Sequence, residues 1–170
     1  MSQYIRILNA LKKNIARLSL TKSQVDCRIA ILERLKYPGV VNLYGPHGSG
    51  KTVLSWYLTN EGQATYIVEP TQITTAEYIP SIFFVDNAGH RRGDYRTILG
   101  NLERARINKA VVVTLERIDD SVQAFELRCT SDDIQIARAN LAQLGYPAET
   151  GYPLDLWDML QSISRRELRC

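Results

Sequence analysis

Eight consecutive residues, Gly45-Pro46-His47-Gly48-Ser49-Gly50-Lys51-Thr52, have the types and spacing needed to hold a chain of phosphates. They complete the pattern G-x-x-x-x-G-K-[ST]. In that pattern glycines let backbone N–H groups turn inward around phosphate oxygens, and the following helix, with Val53 in its first turn, adds its positive end. Lys51 is expected to reach the β- and γ-phosphates and Thr52 to place its hydroxyl on Mg²⁺. His47 occupies a variable position, because such a loop works through backbone amides. Asp86 stands 35 positions after Lys51, at the end of the apolar run Ser81-Ile82-Phe83-Phe84-Val85. A carboxylate there suits the Mg²⁺ shell, often through water. The chemistry implied is binding of a nucleoside triphosphate with Mg²⁺.

Such a loop must link a strand to a helix, and the flanking residues comply. Val40-Val41-Asn42-Leu43-Tyr44 precedes it as a strand, and Val53-Leu54-Ser55-Trp56-Tyr57-Leu58 follows as a helix. Residues 64–69 and 81–86 read as further strands, then 109–115 and 122–127, several of them nearly continuous in apolar residues as a parallel sheet requires. The strand ending in Asp86 is expected directly beside the loop-bearing strand. Two helices come first. Tyr4, Leu8, Leu11, Ile15 and Leu18 repeat at helical steps, with Arg6, Lys12, Lys13 and Arg17 on the other face. A capping-box pattern, Thr21-Lys22-Ser23-Gln24, opens the second. A helix is expected over about 95–107, another capped by Ser131-Asp132-Asp133, and a closing one carrying Leu156, Trp157, Leu160 and Ile163. The fold class is α/β, a mostly parallel sheet of about five strands flanked by helices. Residues 1–130 are expected to form the nucleotide-binding domain and 131–170 a small helical appendage.

The chain resembles the P-loop NTPases of the additional-strand class, and among them AAA+ ATPases. The residues carrying the resemblance are Gly45 to Thr52, Ile82 to Asp86, the polar Thr114 ending the next strand, and the helices beyond the last strand. The resemblance implies a sensor role for Thr114 at the γ-phosphate or attacking water. It also implies a reduced helical lid, with Arg138 as its arginine, and N-terminal helices near the adenine. One position departs from the pattern. AAA+ enzymes follow the strand-terminal Asp with a Glu that polarises water, and here Asn87 stands there. Asn orients water but cannot accept its proton. Glu69, at the neighbouring strand end, or Glu116, just past Thr114, is the replacement to consider. Otherwise hydrolysis is slow and nucleotide acts as a switch.

Composition sets the remaining bounds. The 170 residues, 45% hydrophobic and 23% charged, are ordinary for a globular chain, and a net charge of +3 does not by itself indicate nucleic acid. No run approaches the roughly twenty apolar residues of a membrane span, and the first residues lack a signal-peptide core. Cys27, Cys129 and Cys170 have no metal-ligand spacing. A cytoplasmic setting is therefore expected. Arg91, Arg92 and Arg96 follow the catalytic edge and suit a neighbouring subunit's nucleotide or nucleic-acid phosphates. The leading expectation is an ATPase that acts as a regulatory or assembly switch on a protein partner, itself, or nucleic acid. The alternatives are a small-molecule kinase, disfavoured by the short 115–122 link, and a non-hydrolysing nucleotide module. A GTPase is disfavoured because no Asp follows Asn108-Lys109.

Overall fold

Strands that are apolar along their whole length need cover on both faces, and this chain provides it. The computed structural model describes residues 3–75, 82–88 and 92–146. The helices are α1 (Gln3–Lys13), α2 (Lys22–Arg34), α3 (Lys51–Asn60), α4 (Arg92–Arg104) and α5 (Ser131–Gln143). The strands are β1 (Gly39–Tyr44), β2 (Ala64–Ile67), β3 (Ile82–Val85), β4 (Lys109–Thr114) and β5 (Ala124–Glu126). They form one parallel sheet in the order β2-β3-β4-β1-β5. The α/β class and the five-stranded parallel sheet are as the sequence implies.

Successive residues of a strand face opposite sides of the sheet, so β4 feeds two cores. Val111 and Val113 pack with Cys27 and Ile31 of α2 and Leu54 and Leu58 of α3. Ala110 and Val112 pack on the other side with Tyr95, Ile98 and Leu102 of α4. A third cluster joins Ile7 and Leu11 of α1 to Ala137 and Leu141 of α5, with Val53 and Trp56 of α3 against it.

One expectation is corrected by the sheet order. β3 does not neighbour β1: β4 lies between, with Val41 opposite Val111 and Phe84 also opposite Val111. Strands stand about 4.8 Å apart, so Asp86 ends about 10 Å from the loop-bearing strand. All strands end at the same edge, and side chains close that gap.

Local chemistry shifts several boundaries. α1 stops at Lys13 because Asn14 turns its side-chain amide onto the Ala10 carbonyl (2.9 Å), and a 3₁₀ turn, Ile15–Arg17, completes the periodic run. The capping box of α2 is present as read, Thr21 with Gln24. For α5 the cap is Thr130 rather than Ser131, in a reciprocal box with Asp133. α4 begins at Arg92, earlier than expected. The expected closing helix, with Trp157, lies outside the described residues.

β4 and β5 are joined over β1 by residues 115–123 alone, although parallel crossovers usually need a dozen or more residues and a helix. Ile118 and Val122 pack onto the α4-side core in place of that helix. Asn42, wholly buried in the middle of β1, accepts from the Ile118 N–H (3.1 Å). Its amide donates to the Val112 carbonyl (3.0 Å) and Thr114 Oγ1 (2.8 Å).

Candidate functional site

The loop between β1 and α3 has the backbone that its glycines permit. Gly48 (φ 74°) and Gly50 (φ 92°) are left-handed, and a Cβ on Gly45 would sit 2.2 Å from the Leu127 carbonyl oxygen. α2 and α5 both begin with capping boxes, whereas α3 begins with no side-chain cap at all. The first-turn N–H groups of α3 therefore have no side-chain acceptor of their own, and an anion is the partner they suit.

Lys51 is 8% exposed, and its Nζ donates to the carbonyls of Gly45 (2.6 Å) and Pro46 (2.8 Å) and to Ser49 Oγ (3.3 Å). Burial pulls its pKa down to about 8, against an opposing pull from Asp86. Its ammonium is folded over the loop, held by groups that a phosphate oxygen can replace.

Thr52 and Asp86 meet across the intervening strand. The Thr52 hydroxyl donates to Asp86 Oδ2 at 2.7 Å, and the Tyr66 hydroxyl, from β2, donates to the same oxygen at 2.8 Å. Asp86 Oδ1 accepts from the Asn87 N–H (2.8 Å). A hydroxyl beside a buried carboxylate suits Mg²⁺, a hard ion that takes one or two protein oxygens and completes its shell with phosphate and water. No cluster of three or more His, Cys, Asp or Glu among the described residues forms a protein-only metal cage.

A cavity of about 440 Å³ runs from this polar edge, through Gly48, Gly50, Lys51 and Thr52, to an apolar end between α1 and α5. Leu8, Leu11, Leu18, Ala137 and Leu141 line that end. Gln24 donates from its side chain to the Gly50 carbonyl (3.0 Å), tying the start of α2 to the phosphate loop. Asp133, 1% exposed, ties α5 to the same place by accepting from the backbone and hydroxyl of Ser23 and of Thr130. Burial works against its charge, but these bonds hold its carboxyl below the usual range. Asn140 exchanges two hydrogen bonds with the Ser19 backbone.

No protein-family model matches the chain, and no curated protein sequence does either. Solved structures do. A DNA replication initiation factor superposes with a TM-score of 0.56 at 13% identity, over 91% of this chain and 64% of that one. AMPPCP-bound DnaA from Aquifex aeolicus superposes with a TM-score of 0.52 at 12% identity, over 91% and 68%. The chain thus spans about two thirds of their length. This is a P-loop NTPase fold of the AAA+-like kind.

Within that AAA+-like frame, the residues singled out from the sequence fall into two groups. The loop residues from Gly45 to Val53, with Asp86 and Thr114, converge on one edge, and most line the cavity. Thr114 is 3% exposed and its hydroxyl is engaged twice, donating to the Glu116 carbonyl (2.7 Å) and accepting from Asn42. Glu69 and Glu116 do not line the cavity. Both are exposed, and Glu69 belongs to the turn after β2, accepting from the Gln72 N–H (3.0 Å). Asn87 does line it, with φ at 50°, and its amide donates to the Val68 carbonyl (2.9 Å). Asn tolerates that left-handed backbone better than Glu. Arg138 sits half-buried on α5 outside the cavity lining. Arg96 is exposed on α4, while Arg91 and the Arg92 side chain lie outside the described residues. Sequence reading missed Tyr66, and missed Asn42, whose signal was a polar residue inside an apolar strand.

Proposed function

We propose that this chain binds ATP with Mg²⁺ and uses the bound nucleotide as a slow-hydrolysing switch that regulates a partner or its own assembly. The observation that carries the reading is the uncapped start of α3 beside Lys51, at the polar end of a cavity whose other end is apolar. Such a site suits a ligand that is polyanionic at one end and flat and apolar at the other. Lys51 takes the β- and γ-phosphates, and Thr52 and Asp86 hold Mg²⁺. The ion, when bound, neutralises charge on the phosphates. The structural neighbour bound to AMPPCP supports a nucleotide ligand.

Slow turnover follows from the acceptors available. Among the described cavity-lining residues Asp86 is the only carboxylate, and it is occupied as a hydrogen-bond acceptor. Glu69 serves as base only if the turn after β2 swings inward. Thr114 senses the γ-phosphate by exchanging the Glu116 carbonyl for a phosphate oxygen. Through Asn42, that exchange is felt in the β4–β5 link. The same pinned link argues against a kinase, which needs a mobile lid there. Residues 131–170 serve as the appendage, and its described helix, α5, lines the apolar end of the cavity. The readers of the switch are a protein, a second copy, or nucleic acid at Arg91, Arg92 and Arg96.

The test combines nucleotide calorimetry, phosphate release and light-scattering mass for wild type and Lys51→Ala. We expect Mg²⁺-dependent ATP binding that the variant loses, a turnover below about 10⁻² s⁻¹, and an ATP-specific change in mass or partner capture. Absence of binding at millimolar ATP and Mg²⁺ refutes the reading. Rapid transfer of phosphate to a small acceptor would replace it with the kinase.

A further inference from the structure

Asp86 is held by more than the loop it serves. β2 and β3 run parallel with Tyr66 opposite Phe84, so the residue two positions beyond Phe84 on the same face is Asp86. That register carries the Tyr66 hydroxyl to 2.8 Å from Asp86 Oδ2, where the Thr52 hydroxyl also arrives. A carboxylate has about four acceptor sites, two on each oxygen. Among the described residues, these two hydroxyls fill Oδ2, and Oδ1 retains one site beside the Asn87 N–H. We propose that Tyr66 is a positioning residue for Mg²⁺: it locks the Asp86 carboxylate so that Oδ1 alone faces the metal's water shell. The inference rests on the ATP–Mg²⁺ reading of this site.

The surroundings of Tyr66 are built to hold its ring still. Trp56 meets it edge-on, with ring centroids 6.3 Å apart and planes at 76°. The Lys12 ammonium, from α1, lies 5.7 Å from the Trp56 ring centroid and 5.9 Å from that of Tyr66. Lys12 of α1 and Trp56 of α3 thus close on the ring whose hydroxyl donates to Asp86. Without that hydroxyl, one lone pair of Asp86 loses its partner and the carboxylate is held by Thr52 and the Asn87 N–H alone.

The decisive variant is Tyr66→Phe, which keeps the ring and removes the donor. ATP affinity is measured by calorimetry in EDTA and again across a Mg²⁺ titration, and Mn²⁺ binding to the protein–ATP complex by electron paramagnetic resonance. We expect unchanged affinity in EDTA and a metal requirement raised about tenfold, the lower end of the usual effect of losing an outer partner of a metal ligand. An unchanged metal requirement overturns the proposal. So does an equal loss of affinity with and without metal, which marks a merely structural role. Thr52→Val separates the two levels of argument. If it too leaves the metal requirement untouched, the Mg²⁺ site itself is misassigned. If it raises the requirement while Tyr66→Phe does not, only the positioning role fails.

Discussion

Raising the pH from 7 to 9 should weaken ATP binding about tenfold, through Lys51. Lys51 is 8% exposed and its pKa lies at about 8, lowered by burial and partly restored by Asp86. A group with that pKa is about 90% charged at pH 7 and about 10% charged at pH 9. If only the ammonium form engages the phosphates, the apparent Kd grows as 1 + 10^(pH − pKa), from about 1.1 to about 11 times its limiting value. That ratio corresponds to about 1.4 kcal/mol. Calorimetry in two buffers of different ionisation enthalpy reads the affinity and the proton uptake, which should approach one proton per ATP near pH 9. Lys51→Arg, permanently charged, should bind more weakly but with a flat profile over the same range. A flat wild-type profile, or binding without proton uptake, would refute the reasoning. Stability should move in the opposite sense. The folded pKa lies below the ordinary value of 10.5, so the unfolded chain binds more protons between pH 8 and 10.5, and this group's contribution to stability rises with pH across that window.

Substitutions at three further positions test the frame around the site. Asn42→Ala leaves the Ile118 N–H, the Val112 carbonyl and Thr114 Oγ1 each short of a partner. The expected cost is about 3 kcal/mol or more, a fall of roughly 6–12 °C in melting temperature; a fall below about 2 °C would dismiss the staple. Gly45→Ala drives a methyl to 2.2 Å from the Leu127 carbonyl. It should cost about 2–5 kcal/mol in a urea titration and abolish ATP binding, whereas a stable, binding-competent variant would show that the loop yields there. Asn87→Glu forces Glu to φ 50° and removes the bond to Val68, so it should cost about 1–2 kcal/mol, and Asn87→Gly less than Glu. If Glu is the more stable of the two in thermal melts, backbone conformation is not why Asn stands at this position.

The phosphate loop was legible because its function lies in local backbone geometry. Two glycines, a lysine and a threonine at fixed offsets specify the turn, whatever the chain does elsewhere. The strands were legible because full burial demands continuous apolar runs, as in Phe83-Phe84-Val85 and Ala110-Val111-Val112-Val113. Boundaries were less so. Asn14 ended a helix that apolar spacing alone would have carried to Leu18, and Thr130 took the cap assigned to Ser131, because a short polar side chain can compete for the same backbone groups from either position.

The sequence by itself determined that a strand, a glycine-rich turn and a helix follow one another, and that an aspartate ends a buried strand. Both are properties of contiguous residues. Only the tertiary structure decided which strands lie side by side, because hydrophobic runs carry no address for their partners. It put β4 between the two functional strands and brought Tyr66 onto Asp86 through the β2–β3 register. It left Glu69 outside the cavity lining and turned Asn42 from an oddity in an apolar strand into the staple of a link too short to hold a helix. Those outcomes depend on distances between residues far apart in the chain, which only packing sets.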